Sequence, residues 1–328
     1  MGSPAVSDSR SSPLDHYEPL VSVVVCAYSR ERLDQLKETI ESLRQQTYAN
    51  REIILVIDNN PSLQEEMNGL VGDAIRVSSN TGAQGLADAR NSGIELAGGE
   101  IIAFIDDDAA AEPAWLAGLV ECYRDPDVVG CGGRIVPVWD GGPEPAWLPN
   151  EFRWVIGCTY RGMPERGAVR NVIGCNMSFR SSVFEAVGRF TSGIGRFRNQ
   201  PLRGEETEIC IRALKHWPDK KIVYTPEAVV HHHVSPARQT VRYFARRCYF
   251  EGISKVIVRR LWGAAGTSAE FDYLSRTIPE AILRELRNVV RLRDLPASLS
   301  RLAAITLGVG AVGAGFTAGT LLQRVRSD

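Results

Sequence analysis

Ile101-Ile102-Ala103-Phe104-Ile105-Asp106-Asp107-Asp108 is a run of five apolar residues, mostly branched or aromatic, that ends on three carboxylates. Preceded by Gly98-Gly99, the apolar half reads as a buried strand. α/β sheets bind ligands beyond the carboxyl ends of such strands. Three adjacent acidic side chains there repel one another and lose hydration. A divalent cation, which seeks hard oxygen ligands, relieves both costs. Alternate residues of an extended chain share a face, so Asp106 and Asp108 can point one way while Asp107 points the other. The competing reading is a cap for a helix starting near Pro113, but a cap needs one Asp rather than three.

Outward from that run, the pattern repeats. Residues 21–28 form a strand, and residues 30–46 follow with Leu33, Leu36, Ile40 and Leu43 at helical spacing. Residues 53–57 are a second strand ending at Asp58-Asn59-Asn60, residues 74–77 a weaker third, and 86–96 a helix. Strands alternating with helices predict right-handed βαβ units and a parallel sheet with its polar strand ends on one rim. Asp58 sits on that rim and can accept from a ribose hydroxyl or a base N–H, although Asp-Asn-Asn-Pro is also strong turn chemistry. The first strand is followed by neither G-x-G-x-x-G nor a Walker A lysine, which argues against a dehydrogenase or a P-loop NTPase.

Residues 130–170 are rich in Pro and Gly and break the alternation; Trp139, Trp147 and Trp154 there suit either a substrate wall or core packing. Residues 172–179 read as a strand and 182–187 as a short helix. Gly204-Glu205-Glu206-Thr207-Glu208 opens a further helix. Acidic residues in a first turn suit the helix dipole, and a carboxylate at a helix start on a ligand rim also suits a general base. Two short strands flanking Pro226 lead into His231-His232-His233, a solvated turn or part of an Asp/His cation site. Beyond Pro236 the chain is basic and aromatic, with Arg238, Arg242, Arg246 and Arg247 among Tyr243, Phe244, Tyr249 and Phe250. That composition suits a solvated face or contact with anionic lipid. Residues 302–322 carry no charge, are bracketed by Arg301 and Arg324, and contain a Gly315/Gly319 pair. They are long enough to span a bilayer, or to form a monotopic or buried helix.

Lys plus Arg number 38 against 39 Asp plus Glu, a balance that gives no sign of a nucleic-acid partner. The seven cysteines are odd in number and scattered without zinc spacing, so they are read as reduced thiols in the cytosol. Residues 1–19 lack an apolar h-region and are read as a disordered tail.

Taken in order, residues 21–30, 54–60, Asn80-Thr81-Gly82, Ala89-Arg90-Asn91, 104–108, 204–208 and 232–238 resemble the family 2 glycosyltransferases over roughly residues 21–255. The resemblance implies an α/β GT-A fold, a Rossmann-like, mostly parallel sheet flanked by helices. Residues 20–235 would form that domain, and 236–328 an Arg-rich and apolar helical extension at the membrane. It implies a nucleotide-diphosphate-sugar donor, Mn2+ or Mg2+, and one displacement that inverts the anomeric centre. Ala27, Tyr28, Arg30, Asp58, Asn80, Arg90, Asp106 and Asp107 would bind the donor. Asp106, Asp108 and His232 would hold the metal. Glu206 falls where the family usually carries the Asp of a Glu-Asp pair, the catalytic base, and Glu205 is the other candidate. The acceptor would be a glycan or a polyprenyl-linked sugar at the cytoplasmic face of the cell membrane, with anionic lipid as a partner. A sugar-nucleotide nucleotidyltransferase and an inert membrane scaffold of the same fold are the alternatives. The former usually shows a Gly-rich, Lys-containing loop after the first strand, and residues 27–32 have neither residue.

Overall fold

Near-continuous runs of Val, Ile and Leu, apolar on both faces, can be buried only in the middle of a sheet. They form β1 (Val21–Ala27), β2 (Arg51–Ile57) and, beyond the short polar edge strand β3 (Arg76–Ser79), β4 (Ile101–Asp106). The computed structural model describes residues 17–192, 204–263 and 271–324. These four strands pair in parallel in the order β3-β2-β1-β4, which sets Cys26 beside Asp106. The crossovers are α1 (Leu33–Arg44), α2 (Pro61–Val71) and α3 (Leu86–Leu96). α1 buries Leu36, Ile40 and Leu43 on one face. The third strand begins two residues later than its sequence suggests. α2, which the sequence pattern did not announce, starts where Asn60 accepts the Leu63 N–H at 3.1 Å and Pro61 takes the first turn.

Beyond β4 the sheet is mixed rather than parallel. After β5 (Ala109–Ala111) and α4 (Trp115–Cys122) come β6 (Val128–Trp139), β7 (Gly167–Val169) and β8 (Asn176–Arg180). α5 (Ser181–Val187), α6 (Glu205–His216) and β9 (Lys221–Val234) follow. β8 inserts antiparallel between β4 and β6, while β6 and β9 run parallel. The irregular stretch expected over 130–170 thus begins with a twelve-residue strand. Its glycines hide the strand pattern, and they are needed because the Phe179 and Val172 side chains occupy the space beside Gly130 and Gly132. The two short strands around Pro226 are one strand. A register irregularity opposite Gly133 and Arg134 absorbs the proline. The His tract lies inside that strand and is not a turn.

The tail expected over 1–19 lies outside the described residues as far as 16; from Tyr17 the chain is fastened, the Tyr17 hydroxyl donating to Glu100 at 2.8 Å. All seven cysteines are free.

Packing continues across residue 235. Phe244 and Cys248 of α7 (Val241–Trp262), with Ile278 and Ala281 of α8 (Ile278–Val290) and Ile305 of α9 (Leu295–Arg324), join the core that also contains Phe152 and β1. Arg284 of α8 grips the fully buried Glu151 at 2.9 Å, and Arg301 of α9 reaches Glu285 at 3.1 Å. α9 is long and apolar enough to cross a membrane by length and composition. One side of it nevertheless lies on α7, where Gly252 faces Val312 and Gly315, and Gly319 meets Val256. The glycine pair that suggested a helix contact in a membrane is therefore used within the chain. A Cβ at Gly315 would run into the Tyr249 carbonyl oxygen, whereas one at Gly313 would meet nothing within 4 Å. Gly315→Ala should cost about 1–3 kcal/mol through overpacking. Gly313→Ala should be neutral or stabilise by up to about 1 kcal/mol through helix propensity. Denaturant unfolding of the two variants side by side checks this; equal effects would contradict the packing described.

Candidate active site

A cavity of about 960 Å³ opens at the carboxyl ends of β1, β2 and β4 and extends to α7 and α9. Ala27, Tyr28, Asp58, Arg90, Asp106, Asp107, Asp108, Glu205, Glu206 and His232 all line it, from six separate places in the sequence. Arg30 and Asn80 do not. Arg30 pairs with Glu66 at 2.8 Å with its side chain 58% exposed. Its place is taken by Arg32, which the sequence reading passed over. Residues 30–32 form a 3-10 turn, in which residues two apart project to different sides.

On the β2 side, the buried Asp58 carboxylate accepts from Asn80 Nδ2 at 2.7 Å and from the Gly85 N–H at 2.9 Å. Asn80 thus positions Asp58 instead of facing the cavity. Asn59, in left-handed conformation at φ 52°, turns the chain between Asp58 and the cap of α2.

At the end of β4 the three carboxylates part company. Asp107 turns to Arg32 at 2.8 Å, and Arg32 also reaches Asp108 at 3.0 Å while lying over the Tyr28 ring. Burial pushes Asp107 up to about 7 against the pull of Arg32. Burial works in the same direction on Asp108, but His232, Arg32 and Arg238 outweigh it and hold that carboxyl below the usual carboxylate range. His232 reaches the site because β9 alternates: His231 pairs with Glu112 and His233 with Asp140 and Glu38, while His232 faces inward and is buried. Its Nε2 stands 3.3 Å from both Asp108 Oδ1 and Arg238 Nη1. A single ring nitrogen cannot donate to one and accept from the other at the same time.

The donor set fits a divalent cation. Asp108 Oδ1 and Asp107 Oδ2 are buried without a hydrogen bond among the described residues. Asp106, His232 and Cys175 each bring one ligand atom within 4.8 Å of the other two. Such a group could hold one divalent cation. Cys175 carried no signal in the sequence, since it stands alone in Ile-Gly-Cys-Asn with no metal-ligand spacing. Burial pushes its thiol well above the ordinary value.

On the opposite rim stands α6. Arg90, only 3% exposed, joins Asp106 and Glu205, each at 3.3 Å, and donates to the Gly174 carbonyl at 3.2 Å. Glu205 is thereby fastened. Glu208 is fastened too, through two bonds to Arg212 at 2.6 and 2.7 Å. Glu206, the next glutamate of the first turn, lines the cavity beside Glu205. The remaining wall includes Trp154, Tyr160 and Tyr273, and the α7 side chains Arg247, Glu251 and Lys255.

The family description "Glycosyl transferase family 2" matches residues 22–188. A protein of Haloferax volcanii named glucosyl-dolichyl phosphate glucuronosyltransferase is 34% identical over 305 residues, 92% of this chain and 96% of its own. The succinoglycan biosynthesis protein ExoM of Rhizobium meliloti is 27% identical, over 71% of this chain and 72% of its own. Among solved structures, the mannosyltransferase PcManGT of Pyrobaculum calidifontis, in complex with GDP-Man and Mn2+, superposes with a TM-score of 0.56. It is 17% identical and covers 92% of this chain and 88% of its own. That likeness shows the GT-A fold.

Removing Arg90 would leave two carboxylates without their shared cation, one of them, Glu205, buried. Arg90→Met should destabilise the fold by about 3 kcal/mol or more. Arg90→Lys, which keeps the charge but loses the two-pronged grip, should lie between it and wild type. A loss below about 1 kcal/mol for Arg90→Met, measured by chemical denaturation, would contradict this reading.

Proposed function

The chain belongs to glycosyl transferase family 2 and is a glycosyltransferase, and from that premise we propose that it moves a sugar from a nucleotide-diphosphate-sugar donor, with inversion, to a hydroxyl of a lipid-linked acceptor at the cytoplasmic face of the cell membrane. The observation that carries the proposal is the sharing of one cavity by Asp58, the Asp106–Asp108 strand end, His232 and Glu206 on one side and apolar residues of α9 on the other. Asp58 would accept from the nucleoside. Asp106, Asp108 and His232, with Cys175 beside them, would hold Mn2+ or Mg2+. The cation, when bound, supplies charge neutralisation to the departing diphosphate. Glu206 takes the proton of the acceptor hydroxyl as its oxygen bonds to the anomeric carbon and the bond from that carbon to the diphosphate oxygen breaks. A single displacement of this kind inverts the centre. Glu205, bound to Arg90, keeps the α6 start in register with Asp106.

Two observations support the acceptor class and the location. The Haloferax relative is named for a dolichyl-phosphate-linked glucose, and it is alike over nearly its whole length. On α8, Leu283, Leu286 and Val290 form one exposed apolar stripe, Val290 being 83% exposed, next to Arg287, Arg291 and Arg293. An apolar stripe bordered by arginines suits the surface of an anionic bilayer. α9, lying along α7, would rest in the same interface.

Glu206→Gln keeps shape but cannot take a proton, so kcat should fall by about 10²–10⁴ with donor KM nearly unchanged. Glu205→Gln should lower the melting temperature more than the rate. An unchanged kcat for Glu206→Gln with a hydroxyl acceptor would remove it from the role. For the membrane, Leu286→Glu combined with Val290→Glu should weaken binding to phosphatidylglycerol vesicles by at least about tenfold, since each apolar side chain contributes about 1.5–3 kcal/mol when buried. Equal flotation of variant and wild type with the vesicles would contradict the α8 contact.

A further inference from the structure

Part of the cavity is walled by α7 and α9. Arg247, Glu251 and Lys255 follow one another four residues apart on α7, so one face of the helix carries all three toward the cavity. Glu251 bridges the two cations, 3.1 Å from Arg247 Nη1 and 2.8 Å from Lys255 Nζ. Burial alone would raise the Glu251 carboxyl, but Lys255 and Arg247 outweigh it and bring it down to about 2. At neutral pH Glu251 is ionised and holds both cations in place on this face of α7. Arg247 is only 9% exposed, and its Nε is buried with no hydrogen bond among the described residues. A buried, unbonded donor of this kind costs about 1–3 kcal/mol, more when charged, and an anionic oxygen in the cavity would remove that cost. Beside the trio the lining turns apolar, with Val309 and Val312 of α9 and with Leu274, which is 48% exposed and so carries the apolar wall to the surface.

We propose that Arg247 and Lys255 form an anion subsite for the phosphate of an amphiphilic acceptor, whose hydrocarbon chain leaves over Val309, Val312 and Leu274. The subsite rests on the lipid-linked acceptor reading above, and gives that acceptor a second point of attachment away from the reacting hydroxyl.

The full-length chain in neutral detergent is titrated calorimetrically with geranylgeranyl phosphate, geranylgeraniol and inorganic phosphate. Arg247→Met should weaken geranylgeranyl phosphate by at least about tenfold and leave the alcohol unchanged, as expected for one lost charge-assisted hydrogen bond. Arg247→Lys should restore part of the loss. Inorganic phosphate should bind at least tenfold more weakly than the prenyl phosphate. Unchanged prenyl phosphate binding in Arg247→Met, or equal weakening of phosphate and alcohol, overturns the subsite. Inorganic phosphate binding as tightly as the prenyl compound makes it a site for free phosphate and overturns its lipid half. If Arg247→Met does not fold, Lys255→Met in the same titrations decides. Turnover on a glycosyl-lipid phosphate is measured separately. A wild type that binds the prenyl phosphate through Arg247 yet glycosylates only soluble glycans removes the acceptor reading and leaves the anion subsite standing.

Discussion

A guanidinium buried to 3% exposure must be matched by carboxylates, and Arg90 is matched by two that lie far apart in the chain, Asp106 and Glu205. The first ends β4; the second opens α6. The ring faces of Phe104 and Phe190, 6.0 and 5.6 Å from its central carbon, complete the enclosure. The separation between the strand-end carboxylates and the first turn of α6 is therefore set by one rigid, planar group and not by a loop. An arrangement of that kind removes most of the freedom by which the strand end and the helix start could drift apart.

The same economy of charge runs through the rest of the rim. Arg32 answers Asp107 and Asp108, Arg238 approaches Asp108 and His232, and Arg212 occupies Glu208. The acidic groups are held in place before any substrate arrives. Prealigned dipoles and charges need no reorganisation when charge moves during reaction, which is the main source of electrostatic catalysis.

The parallel half of the sheet and its polar rim were largely legible in the sequence. β1, β2, β4 and α3 are written in uninterrupted apolar runs and helical spacing, and their polar ends fall on one rim by topology alone. The antiparallel half was not legible. The glycines of β6 exist to clear space for the side chains of other strands, and Pro226 in β9 is tolerated through an irregularity that only the partner strand reveals. Neither signal is local. Arg30 and Arg32, two apart in a helical turn, project to different sides, and nothing local in the sequence marks which of them faces the cavity. Cys175 joins Asp106 and His232 only because β8 is inserted beside β4, a pairing across more than seventy residues. The helical C-terminus was legible as apolar, but its partner was not: the glycines that suit a second membrane helix serve equally well against α7.

That last contact has a practical side. Membrane-associated enzymes are commonly shortened at an apolar terminus to make them easier to handle. Here such a deletion, made before Leu295, would take away Val309 and Val312 from the lining of the cavity and strip the cover from Phe152 and Phe244. The terminus is masonry. Solubility would have to be sought on the outward face, at Leu321, Leu322 and Val290, where side chains can be exchanged without opening the wall.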